Sequence, residues 1–276
     1  MHILVTNDDG VTAPGLLALA QAMRHFGDVS VLAPDRDWSG AGHVKTFKRP
    51  LRVRDVKLSD ETPALTSDGA PSDCVALALL GILPEKVDLI VSGINTGANL
   101  GHDVTYSGTV TAVMEGIIMG VPGVAVSMDG ASLHRSELDY TSAVDVASWV
   151  VKKLITEGIP ENTFLNVNVP YVNGGELKGI LLTQQGLRVY HGRLDKRQDP
   201  RGKDYYWIAG DHPTGVPKEG TDVEALAAGY ASVTPLQLDL TDYKAISTLS
   251  AWFWPDDIAE ILPGYGPEPS LTSTLP

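Results

Sequence analysis

The feature that most constrains this chain is the alternation, through its first 170 residues, of short apolar runs with helix-like segments carrying their own start and stop signals. "HILVT" (2–6) is β-rich and wholly apolar, as a strand covered on both faces is. Segment 11–27 reads as a helix: Pro14 suits its first turn, Leu16, Leu19, Ala20 and Met23 share one face, and Gly27 stops it. "DVSVLAP" is a second strand, ended by Pro34. "APSDCVALALLG" predicts a helix with Pro71 near its start and Gly81 near its end, with Asp68 and Asp73 in turn and capping roles. "VDLIVSG" (87–93) is a third strand.

The clearest helix is 107–120. Val110, Val113, Met114, Ile117 and Ile118 form one stripe, Ser107 is a good N-cap, and Gly120 and Pro122 end it. "GVAVS" is again a strand. A long helix follows, with Tyr140, Ala143, Val144, Ala147, Val151 and Leu154 on one face, Trp149 read as core, and Gly158 and Pro160 closing it. Strand–helix alternation of this kind predicts an α/β fold: a mostly parallel sheet with helices on both faces.

Beyond residue 160 the pattern changes. "FLNVNVP" alternates apolar and polar residues, "GILLTQQGLRVYHGRL" reads as one or two strands, and "GYASVTPLQLDLT" returns to strand character. Residues 191–222 are charged, rich in Gly and Pro, and contain "YYW"; that is too long for a plain loop, and it reads as a projecting arm for self-association. One domain over 1–262, with a flexible tail at 263–276, is expected.

Composition excludes several classes. A net charge of −13 argues against binding a nucleic-acid polymer. Cys74 alone forms neither a disulfide framework nor a Cys-based zinc site. The longest apolar run, "VALALLGIL", is too short to span a bilayer, and "MHILVTNDDG" lacks the character of a signal peptide, so a soluble cytoplasmic protein without membrane partners is the default.

In open α/β sheets ligands bind outside the carboxyl ends of the strands. "NDDG" (7–10), "DRDWSG" (35–40), "SGINTGANLG" (92–101) and "SGT" (107–109) all fall at that edge. Asp8 and Asp9 are adjacent, and two carboxylates about 4 Å apart repel by roughly 4 kcal/mol at an effective dielectric of 20. A divalent cation between them converts repulsion to attraction, and oxygen neighbours such as Ser39 and Asn95 suit a hard ion, Mg²⁺ or Mn²⁺. Gly93, Gly97 and Gly101 let backbone approach a ligand closely. No Walker A ending follows them, and no Lys or Arg occurs from Val87 to His134, so a phosphate here depends on a metal, hydroxyls and the free N–H groups opening the 107 helix. His43 and His102 read as surface or supporting histidines; Arg188 and Tyr190 face either substrate or packing.

These residues resemble the SurE family, the survival-protein phosphatases and 5′-nucleotidases. The similarity runs through "ILVTNDDG" with "APGL", "APDRDWSG", "SDCVALAL", "SGINTGANLGHDVTYSGTVTAVMEG" (92–116), "NVNVP" and "GYASVTPLQLDLT". "WSGAGHVKTF" departs from it, with Trp38, Gly42 and His43 where many members carry Arg, Ser and Asn. The resemblance implies a Rossmann-like three-layer α/β/α sandwich with a mostly parallel, mixed sheet and a projecting C-terminal arm. It implies one divalent metal per subunit, held by Asp8, Asp9, Ser39 and Asn95, and a phosphate site at Asn95, Ser107, Gly108 and Thr109. It implies hydrolysis of nucleoside 5′- and 3′-monophosphates and short polyphosphate, and dimers or tetramers formed by exchange of C-terminal segments.

The expected chemistry is water attack on a phosphate monoester, with Asp8, Asp9 and Asn95 catalytic and either aspartate serving as base or nucleophile. An aspartyl-phosphate mechanism of haloacid-dehalogenase type ranks low, because it uses Asp-x-Asp and a later lysine. The remaining alternatives are a dinucleotide-binding module, disfavoured because "NDDGVTAPG" lacks G-x-G-x-x-G, and a non-catalytic metal- or nucleotide-binding stress-response protein.

Overall fold

The structure is a computed structural model that describes residues 1–130, 138–172, 176–210, 213–252 and 254–256. The opening follows the alternation: β1 (His2–Thr6), α1 (Pro14–Met23), β2 (Asp28–Pro34). Two strands that periodicity does not announce come next, β3 (Val53–Lys57) and β4 (Pro63–Ser67), an antiparallel pair on the sheet edge. Helix α2 (Pro71–Leu77) runs on through a wider turn at Ala78–Ile82, ending at Gly81 with φ 118°. Then come β5 (Leu89–Asn95), a 3₁₀ turn (Gly101–Thr105), α3 (Gly108–Ile118), β6 (Gly123–Asp129), α4 (Thr141–Glu157) and β7 (Phe164–Pro170). Short strands follow: β8 (Ile180–Leu182), β9 (Leu187–Val189), β10 (Gly192–Gln198), β11 (Asp204–Gly210) and β12 (Thr214–Val216). Helix α5 (Asp222–Ala227) and β13 (Ala231–Leu236) close the first compact unit, Met1–Leu238. The second unit starts at Asp239, ahead of the expected domain end at 262, and holds α6 (Tyr243–Leu249). The tail proposed at 263–276 lies outside the described residues.

The main sheet has the order β3-β4-β2-β1-β5-β6-β7-β13-β8. The run from β4 to β7 is parallel; β3 and β13 pair antiparallel with their neighbours β4 and β7. Side-chain alternation on the pleat makes the three layers. Ile3, Val5, Val31 and Val91 pack with Leu16, Leu19 and Met23 of α1 and with Ala143, Val146 and Val150 of α4. Leu4, Leu32 and Ile90 point to the opposite face, where Cys74 and Val75 of α2 and Val110 and Val113 of α3 cover them. Each large side chain fully buried this way contributes roughly 1.5–3 kcal/mol. Burial also pushes the Cys74 thiol well above its usual range, so it behaves as a core hydrophobe.

One expectation is corrected. Trp149 is not core: it is 49% exposed, with Lys153 Nζ over its ring at 6.0 Å. The buried stripe of α4 is Ala143, Val146, Ala147, Val150 and Val151, and residue 149 falls about 200° around the helix from 147 and 151. The segment expected as an excursion, 191–222, holds β10, β11 and β12. Its exposed part is a two-stranded ribbon, β10 with β11, that pairs with no other described strand; β12 returns to pair with β9. Asp73 does cap α2, accepting from the Ala70 N–H at 3.0 Å, and Asp68 accepts from the Arg52 N–H at 2.9 Å.

Candidate active site

Chain order leaves β1 for β2 on one side and returns to β5 on the other, so the switch point of the sheet lies between β1 and β5. Both carboxyl ends open there into a cleft of about 380 Å³. Asp8, Asp9, Ser39, Asn95 and Ser107 all line it, so segments far apart in sequence are brought together.

Local geometry explains how. After β1 the chain turns at Gly10, where the Asn7 side chain donates to the Gly10 carbonyl and accepts from its N–H, at 3.0 and 3.2 Å. Asp8 and Asp9 follow the fully buried Asn7 and are themselves 2% and 7% exposed. The Ser39 loop is tied to this strand end by the Trp38 N–H, which donates to the Asp8 carbonyl at 2.8 Å. Ser39 donates its hydroxyl to Asp37 at 2.5 Å, leaving its lone pairs to accept or coordinate. Asn95 ends β5 beyond a register break, and its Nδ2 donates to the Gly97 carbonyl at 2.6 Å.

Helix α3 begins against Asp8. Ser107 caps it, accepting from the Val110 N–H at 3.2 Å. Thr109 is fully buried, and its hydroxyl donates to the Asp8 carboxylate, so the structure places Thr109 at Asp8 and not on the cleft wall. Gly108 must be glycine: a Cβ would sit 2.6 Å from Asp8 Cβ. Burial pushes the Asp8 carboxyl above its ordinary value, against the downward pull of the Thr109 hydrogen bond.

The donor set fits a hard divalent cation: two buried carboxylates, a hydroxyl and a carboxamide, all oxygen. Among the described residues no cluster of three or more His, Cys, Asp and Glu is placed to hold a metal.

Several functional contacts escape sequence reasoning. Asn166 and Asn168 of β7 turn inward and donate to the Asn99 carbonyl at 2.8 and 3.1 Å, while Asn99 donates to Ser127 at 2.8 Å, holding the glycine-rich loop over the sheet. His43 contacts Glu115 of α3 at 3.0 Å and Lys45 contacts the same carboxylate at 2.5 Å, so both brace the Ser39 loop against α3. Burial raises Glu115, but these two partners together hold it below its usual value. His102 is exposed and outside the cleft lining. Arg188 does line the cleft, the one lysine or arginine to do so among the described residues.

A doubly wound sheet with an acidic, oxygen-lined cleft at its switch point defines an α/β protein of the kind that binds small ligands at that edge. The sequence comparisons carry this further. The family profile described as Survival protein SurE matches residues 3–192. The "5′-nucleotidase SurE" of Chloroflexus aggregans is 49% identical over 254 residues, 92% of this chain and 100% of that protein. That of Geobacter sulfurreducens is 47% identical, covering 91% and 94%. A crystal structure of the SurE protein from Aquifex aeolicus superposes with a TM-score of 0.76 at 45% identity, covering 91% and 98%. The chain belongs to the SurE family.

Proposed function

We propose that the chain hydrolyses nucleoside 5′-monophosphates, and also 3′-monophosphates and short polyphosphate, in a divalent-metal-dependent reaction that releases phosphate. The observation that carries this reading is the burial of Asp8 and Asp9 side by side at the mouth of a cleft shared with Ser39, Asn95 and Ser107. Two adjacent buried carboxylates are tolerated when a cation sits with them. Relatives about 47–49% identical over nine-tenths of the chain carry the name 5′-nucleotidase, which supports the first of these activities.

Asp8, Asp9, Ser39 and Asn95 would hold one Mg²⁺ or Mn²⁺ per subunit. Bound there, the ion supplies Lewis-acid polarisation of a phosphoryl oxygen and acidifies a coordinated water. The chain does the rest. Ser107 and the first N–H groups of α3 receive the phosphoryl oxygens at the positive end of the helix dipole. Asn95 orients the same group, and Thr109 fixes the Asp8 rotamer. One of the two aspartates accepts a proton from the attacking water as its oxygen bonds to phosphorus, and the proton returns to the leaving alkoxide as the ester P–O bond breaks.

We also place self-association, into a dimer or tetramer, in the β10–β11 ribbon and the C-terminal segment. Leu194, Trp207 and Ile208 of the ribbon are 67%, 61% and 94% exposed. No helix among the described residues is long and apolar enough to cross a membrane.

A phosphate-release screen tests the reading. AMP, ribose 5-phosphate and polyphosphate are each assayed with Mg²⁺, with Mn²⁺ and in EDTA. Turnover of AMP that requires the metal is expected; undiminished turnover in EDTA would overturn the metal assignment, and none under any condition would overturn the hydrolase.

A further inference from the structure

Arg188 reaches the cleft wall from β9, not from the loops that receive phosphate in the reading above, on which this inference rests. Its placement is built. Asp222, fully buried, accepts from the Gly101 N–H at 2.8 Å and the Gly186 N–H at 2.7 Å. Gln185 donates to the Gly101 carbonyl at 2.9 Å, and a Cβ on Gly101 would meet the Gly186 carbonyl oxygen at 2.4 Å. The segment bearing Arg188 is therefore clamped to the glycine-rich loop.

The guanidinium is then aimed by Asp103. Arg188 Nε donates to Asp103 Oδ2 at 2.7 Å, and the Tyr190 hydroxyl donates to the other oxygen at 2.5 Å. Burial and this hydrogen bond push the Tyr190 phenol up to about 12, so Tyr190 stays a donor throughout the neutral range. The backbone carbonyl of Asp103 in turn accepts from the N–H groups of Tyr106 and Ser107, at 2.9 and 3.1 Å. Tyr106 also lines the cleft, with 61% of its surface open. One residue thus sets both the phosphate end, through Ser107, and a second wall made of Tyr106 and Arg188.

We infer that this second wall takes the nucleobase, with Tyr106 as the stacking face and Arg188, oriented by Asp103, as a donor to the base edge. Contact with Asp103 cancels the net charge of Arg188, which suits a flat, neutral, polar ring better than a dianionic phosphate. The guanidinium has five N–H donors, and one is spent on Asp103. An arginine fork beside an aromatic face is a matched partner for a purine. Arg188 is thereby a specificity-determining residue for nucleotides over sugar phosphates.

The test compares kcat/KM for AMP and for ribose 5-phosphate in the wild type, Arg188→Gln and Arg188→Lys, together with adenosine binding by calorimetry. The AMP to ribose 5-phosphate ratio should fall about tenfold or more in both variants, because lysine keeps the charge but lacks the fork. A ratio within one variant is independent of how much of it folds. Equal losses on both substrates, with rescue by lysine, would make Arg188 a phosphate contact and overturn the inference. So would an unchanged ratio. If the wild type hydrolyses neither compound, the hydrolase reading falls separately, and adenosine binding decides: about tenfold weaker in Arg188→Gln supports the wall, and equal affinity removes it.

Discussion

Two regions of the first compact unit invert the usual partition of side chains, in opposite directions. At the carboxyl edge of the sheet, Asp8, Asp9, Asn99 and Asp222 are buried. On the β10–β11 ribbon, Leu194, Tyr206, Trp207 and Ile208 are exposed. Several of the buried polar groups are served from within the chain: Asp8 by Thr109, Asn99 by Asn166 and Asn168, and Asp222 by three backbone N–H groups. The apolar ribbon has no comparable cover among the described residues. Its register sets Leu194 opposite Ile208 and Asp195 opposite Trp207, so each face mixes apolar and charged residues. On the reading proposed above, a small cation and substrate complete the first inversion, and another protein surface completes the second.

Breaking the first region should have the largest effect. Asp8→Asn is expected to lower turnover of AMP about a thousandfold, measured by phosphate release in Mg²⁺. Without divalent cation the same variant should melt at a higher temperature than wild type at neutral pH. The folded carboxyl is raised above 3.8, so the stability Asp8 contributes is complete below 3.8 and is lost as pH rises through the raised value. A lower melting temperature in metal-free buffer would contradict the assignment of burial as the dominant cause.

Behind the site, Glu115→Ala removes a buried carboxylate from Lys45 and His43 and should cost about 2 kcal/mol in urea unfolding at pH 7. The Glu115 carboxyl is held below 4.5 in the fold, so its contribution is present above 4.5 and disappears as pH falls through the depressed value. The gap between wild type and variant should therefore narrow in acid, and a gap that stayed constant would assign the loss to packing alone.

The ribbon is sharpened by Ile208→Asp. If Ile208 is covered by a second copy, the substitution should weaken self-association about tenfold or more, read by light scattering across a dilution series. An unchanged dissociation constant would move the interface elsewhere. The catalytic edge should be indifferent to this change in a way it is not to Asp8→Asn.

The two regions also differ in how far sequence alone reveals them. Strands β1, β2, β5 and β6 were legible because a parallel strand covered on both faces is apolar at nearly every position, and α3 because its cap, stripe and stop all agree. Asp8 and Asp9 were legible because adjacent like charges demand a reason. Strands β3 and β4 were not: β3, "VRDVK", is a charged edge strand with no periodic signature. Arg188 was ambiguous because its role depends on Asp103, 85 residues away, and on a three-residue strand that only tertiary packing positions. Asn166 and Asn168 read as the polar half of an alternating strand, yet both are fully buried, since their amides hold the loop carrying Asn99.

The smallest expected effect isolates what an exposed aromatic is worth when nothing covers it. Trp149 on α4 and Trp207 on β11 are 49% and 61% exposed, and a large apolar side chain left in the open invites the reading that both await a partner. They differ in setting. Trp149 lies outside the buried stripe, on a helix whose other face is fully packed, and Lys153 stacks on its ring. Trp207 lies on a two-stranded ribbon, which is marginal in water without further packing. Trp149→Ala should therefore cost at most about 1 kcal/mol, from the half of the ring that is buried and a weak cation–π contact. In a chain of this size that is a shift of about 2–4 °C in melting temperature, with no change in oligomeric state. If light scattering instead showed Trp149→Ala dissociating the protein as Ile208→Asp does, the interface would extend over α4, and exposure there would mark the same kind of surface as the ribbon.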